Sequence, residues 1–191
     1  MSITDAPQNG AELLQQVAGQ LYHLGTMLLG DSDATVELIE QAIATAELPA
    51  CADLSTARHN AQVAMAAAAI EMLSRRDPSS LAAPTGESGP PNCIGDDDLD
   101  AAGVSPEQIE QLVSGPDRSH LRNWIEGLPV AERTIFVLRA VAGLSTPEVA
   151  GLLALHGGRA AQGWMTDAVR SVFRQALCSL ASQLLQDSNS R

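Results

Sequence analysis

Leu144-Ser145-Thr146-Pro147-Glu148-Val149-Ala150-Gly151-Leu152-Leu153 decides how the rest of the chain is read, because it spells a helix start. Ser145 can cap the helix, Pro147 fits its first turn, and Glu148 can reach back to the Ser145 amide as a capping box. His156-Gly157-Gly158 supplies a turn, and a helical pattern follows from about Arg159 to Leu185. A short helix, a glycine-containing turn and a longer second helix form the outline of a helix-turn-helix.

Upstream lie Leu121-Arg122-Asn123-Trp124-Ile125-Glu126-Gly127-Leu128-Pro129 and Arg133-Thr134-Ile135-Phe136-Val137-Leu138-Arg139, whose order and spacing bear on the resemblance given below. Nearer the N-terminus, Leu13, Leu14, Val17, Leu21, Leu24, Met27 and Leu28 make a helical stripe that Gly30-Asp31-Ser32-Asp33 ends. A second helix is expected from about Ala34 to Ala46, with Val36, Ile39 and Ile43 on one face. A third is expected from about Leu54 to Arg76, where the run Ala66 to Ala69 permits close helix approach. Residues 77–104 shift to Pro, Ser, Gly and Asp and read as an acidic flexible linker. Ser105-Pro106-Glu107-Gln108 then starts a short helix through Val113.

Composition agrees with these patterns. The chain has 191 residues, is 45% hydrophobic and only 3% aromatic, so its core must be built mainly from Leu, Ala, Ile and Val. The expected fold is all-α: two small helical domains at 11–76 and 117–186, joined by an acidic linker at 77–116, with the second domain a helix-turn-helix.

The net charge of −12 is uneven. Residues 117–191 carry eight arginines against six acids, and residues 1–116 carry three arginines against seventeen acids. That balance does not mark an autonomous nucleic-acid binder and suits a basic or protein partner.

Catalytic and metal chemistry find little support. His23, His59, His120 and His156 sit in separate segments, and no nucleophile motif or phosphate loop accompanies them, so no enzyme is expected. Asp96, Asp98, Asp100 and Glu107 imitate a calcium loop, but Ala101 stands where glycine is needed. The acidic-linker reading is preferred, and no metal or other cofactor is expected. Cys51, Cys93 and Cys178 are far apart and odd in number, which indicates neither a disulfide framework nor a zinc module. There is no basic leader and no 18-residue apolar run, so the expected location is the cytoplasm, without membrane insertion.

The words from Leu121 to Ala150 resemble the C-terminal domain of bacterial RNA polymerase sigma factors, the extracytoplasmic-function type of the sigma-seventy superfamily. In that family a helix ends in Leu-Pro, a second runs through Arg-x-Val-Phe-x-Leu-Arg, and Gly-Leu-Ser-x-x-Glu-x-Ala opens the helix-turn-helix. Leu21-Tyr22-His23-Leu24 through Gly30-Asp31, with Glu37-Leu38-Ile39-Glu40-Gln41, resembles the family's N-terminal hairpin. The resemblance covers residues 12–76 and 121–185. It implies a transcription initiation protein that binds core RNA polymerase and directs it to promoter DNA. Glu37, Leu38, Glu40 and Gln41 would face the coiled coil of the β′ subunit. Arg159, Gln162, Arg170 and Arg174 would face DNA, and an anti-sigma or other regulatory protein would be a further partner.

This sequence departs from the family pattern at its DNA-contacting positions. With one extra residue allowed in the His156-Gly157-Gly158 turn, the family's usual basic positions fall on Gln162, Trp164, Asp167 and Val169, none of them basic. Between Leu54 and Arg76, where the family carries base-capturing aromatics, there is no Trp, Phe or Tyr. A second function therefore stands beside the first: a degenerate sigma-like regulator acting through protein contacts without promoter recognition. For Trp164 two readings remain, a packed residue or, with Val169, part of an apolar protein-binding face.

Overall fold

The computed structural model describes residues 6–45, 54–84 and 119–189. These form eight helices and, among the described residues, no strand. In chain order they are α1 (Ala6–Leu29), α2 (Ser32–Thr45), α3 (Leu54–Arg76), α4 (Ser119–Gly127), α5 (Val130–Ala140), α6 (Thr146–His156), α7 (Gly158–Ala161) and α8 (Thr166–Asn189). The backbone divides into two compact units, Met1–Ala69 and Ile70–Arg191, and the division falls inside α3.

In the first unit, α1 packs on α2 through a tight hairpin. Gly30 takes a φ of +69°, a left-handed conformation that a side chain would strain, and its amide still closes α1 on the Thr26 carbonyl at 2.8 Å. Asp31 then caps α2, its Oδ1 accepting from the Asp33 amide at 2.8 Å. The core is aliphatic: Leu24, Leu28, Leu38, Met65, Ala66 and Ala69 are all buried. Gly25 permits the close helix crossing, since a Cβ there would stand 2.6 Å from Thr35 Cγ2.

The second unit is built around aromatic rings. Trp124 meets Phe136 edge-on, with centroids 5.1 Å apart, and Phe173 lies 6.1 Å from Phe136. The guanidinium of Arg139 stands 5.1 Å from the Phe173 centroid while its Nη1 donates to the Leu144 carbonyl at 2.6 Å. These contacts join α4, α5 and α8. Gly143, with a φ of +69°, turns the chain after α5 so that the Leu144 amide reaches the Leu138 carbonyl at 3.0 Å. The expected capping box opens α6: the Ser145 amide donates to Glu148 Oε2 at 2.7 Å, and the Glu148 amide donates to Ser145 Oγ at 3.4 Å.

Three features differ from the sequence reading. The connection after α6 is not a tight turn: the one-turn helix α7 and the residues up to Met165 intervene, so α8 begins at Thr166 and not near Arg159. Gly163 and the sealed ring of Trp164 interrupt the helical pattern there. Residues 77–84, expected to open a flexible linker, form a defined turn. Asp77 Oδ1 accepts from the Ser79 amide at 2.9 Å, and Leu81 is fully buried. Cys178 on α8 is disulfide-bonded, although no disulfide framework was indicated by the spacing. The rest of the linker, including Asp96, Asp98, Asp100, Ala101, Glu107 and the helix expected from Ser105, lies outside the described residues.

Candidate functional site

The residues expected to meet a partner fall into two groups, one on each unit. On α2, the helical period places Asp33, Val36, Glu37, Glu40 and Ile43 along one stripe, and all five are exposed. Val36 is 50% exposed and Ile43 71%, large values for aliphatic side chains. The stripe is therefore acidic and apolar at once, a composition that complements a basic, apolar surface. Gln41 is half-buried at its edge. Leu38, expected to face the partner, is fully buried, about 160° round the helix from Glu40. A Cβ placed on Gly25 would meet its Cδ2 at 3.4 Å. Leu38 thus packs α2 against α1.

The second group lies around α7 and α8. Arg159 is exposed on α7, Gln162 is exposed just beyond it, Arg170 is exposed on α8, and Arg174 is half-buried one turn later. They span two helices and the intervening turn, so the structure does not gather them on one continuous recognition helix. Arg170 Nη1 also pairs with Asp167 Oδ1 at 2.9 Å, which occupies part of the guanidinium and leaves a carboxylate beside it. Such a pair weakens phosphate attraction more than it stabilises the helix.

Trp164 is packed. It is 4% exposed, its indole N–H donates to the Leu81 carbonyl at 2.8 Å, and Val169 is fully buried. The apolar face imagined from Trp164 and Val169 does not exist; the bare apolar side chains in this region are Leu155 and Met165, 80% and 69% exposed. Sequence spacing alone could not place Met165, because it lies in the connection between α6 and α8, where the helical pattern is interrupted.

Ionisation in the second unit follows burial. Desolvation raises the Glu132 carboxyl above its ordinary value, and desolvation lowers the Arg133 guanidinium, with Glu126 opposing that shift. Asp77 is held below its ordinary value, first by the Ser79 hydroxyl and then by the Ser79 amide. Among the described residues no group of three or more His, Cys, Asp or Glu could hold a metal ion, and no helix is long and apolar enough to cross a membrane.

Comparison with protein-family models, with curated proteins and with solved structures finds no match.

Proposed function

We propose that the chain is a sigma-factor-like transcription initiation protein that binds core RNA polymerase and directs it to promoter DNA. The observation that carries this reading is the exposed stripe of α2, where Asp33, Glu37 and Glu40 surround Val36 and Ile43 on a hairpin whose sequence resembles the polymerase-docking element of sigma factors. Bare β-branched side chains flanked by carboxylates suit a basic helical partner: the aliphatics supply buried area and the charges supply orientation. In this reading no covalent chemistry occurs. The polymerase is recruited through α2, and the helix-turn-helix-like region of α6 to α8 meets DNA through Arg159, Gln162, Arg170 and Arg174.

Few cations serve that second contact, so DNA affinity depends on the polymerase holding both partners together. A tethered site works at an effective concentration of roughly millimolar, which offsets weak individual contacts. A second reading, a sigma-like regulator that docks on polymerase without recognising promoters, is favoured by the Arg170–Asp167 pair and by the half-burial of Arg174.

The test is co-purification with core RNA polymerase, followed by retention of fork-junction promoter DNA at two salt concentrations. Polymerase binding with salt-sensitive DNA retention is the expected result. Polymerase binding without retention selects the regulator, and no polymerase binding removes both readings.

A further inference from the structure

Residues 70–84, the end of α3 and the turn behind it, are fastened to the end of α6 and to the connection between α6 and α8 at four points. Glu71 Oε1 stands 2.8 Å from His156 Nδ1. The Ser74 hydroxyl donates to the Gly157 carbonyl at 3.0 Å, and the Ala83 amide donates to the Ala160 carbonyl at 3.2 Å. The Trp164 indole donates to the Leu81 carbonyl at 2.8 Å, with Leu81 at 0% and Trp164 at 4% exposure. Two glycines keep the approach close. A Cβ on Gly158 would lie 2.8 Å from Ser74 Oγ, and one on Gly163 would lie 3.3 Å from Ala83 Cβ.

We propose that residues 70–84 are a brace that sets the path of residues 157–165, and through it the presentation of α8, with Leu81 and Trp164 as the positioning residues. The connection needs such a brace. A four-residue helix such as α7 cannot sustain itself, because nucleation fixes several dihedrals for very few hydrogen bonds. The contacts that hold it come from a segment more than seventy residues earlier in the chain. The brace is itself pre-shaped. Asp77 accepts from both the amide and the hydroxyl of Ser79, and the Ser80 amide returns to the Asp77 carbonyl at 3.1 Å. The presentation of α8 is therefore conditional on a segment outside the helices that carry it.

The brace itself stands on these contacts, while its consequence for DNA rests on the proposed promoter-binding reading. Hydrogen exchange of the full chain separates the two. Leu81→Asp should raise exchange of residues 157–169 by about tenfold or more while α5 keeps its protection. Trp164→Phe, which keeps an aromatic ring and removes the indole donor, should raise the same amides by a smaller factor. Unchanged exchange at 157–169 in both variants overturns the brace, as does a rise shared equally with α5, which would mark a general loss of stability. If Leu81→Asp fails to fold, Trp164→Phe decides by the same criteria. With polymerase bound, Leu81→Asp should lose fork-junction DNA while still co-purifying with the enzyme. Retention equal to wild type overturns the link from brace to α8. If wild type itself retains no DNA, the promoter-binding reading fails, and the exchange pattern alone supports or overturns the brace.

Discussion

On α2 the side chains proposed to meet a partner stand bare, with Val36 and Ile43 at 50% and 71% exposure among Asp33, Glu37 and Glu40. Around α8 the corresponding side chains are engaged: Arg170 pairs with Asp167, Arg174 is half-buried, and Trp164 is sealed against Leu81. The units differ in the same sense inside. The first has an aliphatic core and an exposed Tyr22, whereas both tryptophans and both phenylalanines of the chain lie in the second. Side chains that the fold does not use are free to serve binding. Those around α8 are partly engaged with neighbouring groups or half-buried.

The largest expected effect tests the interior half of that contrast. Phe136 is fully buried between Trp124 and Phe173, so Phe136→Ala should cost about 3–5 kcal/mol in urea denaturation of the full chain. A loss below about 1 kcal/mol would mean the aromatic cluster is not the keystone of the second unit. The double variant Val36→Ser with Ile43→Ser should do the opposite. Stability should stay within about 0.5 kcal/mol of wild type, because neither side chain is buried. Polymerase co-purification should fall roughly tenfold or more, since the stripe loses its apolar anchors. Unchanged capture of polymerase would move the docking surface away from α2.

How much was legible in the sequence follows the same division. The helices from Ser32 to Thr45 and Leu54 to Arg76 could be read from apolar spacing and from glycine and aspartate punctuation, because local chemistry sets their ends, whereas the helix from Val130 to Ala140 was expected only through the sigma-factor resemblance. Ser145 and Glu148 announced their capping box for the same reason. The burial of Leu38 was not legible because a motif names neighbouring residues together, while a helix sends them to opposite sides. Neither the turn at 77–84 nor the delayed start of α8 could be read locally. Leu81, Ala83, Ala160 and Trp164 define them through contacts across long separations in the chain.

Ser145→Ala measures how far local signals alone support α6. It removes the hydroxyl that accepts from the Glu148 amide, so a loss of about 1 kcal/mol is expected by thermal or urea unfolding. A much larger loss would show that the cap also orders the connection beyond α6 and would blur the distinction between local and long-range control.

The smallest effect on stability bears most directly on DNA. Asp167 lies in the first turn of α8, where a carboxylate favours the helix dipole, and it pairs with Arg170 across one turn. Both side chains are largely exposed, at 93% and 49%, so Asp167→Asn should change stability by no more than about 0.5 kcal/mol. Its effect on DNA retention by the polymerase complex should be larger in proportion. Removing the carboxylate frees Arg170 for a phosphate and removes a repulsion beside it. The plot of log affinity against log salt should steepen by about 0.9, the slope of one added phosphate contact. An unchanged slope with tighter binding would mean that only the repulsion was relieved. If slope and affinity both stay at the wild-type values, Arg170 does not reach DNA, and the contrast becomes one between a binding surface on α2 and a packing surface on α8.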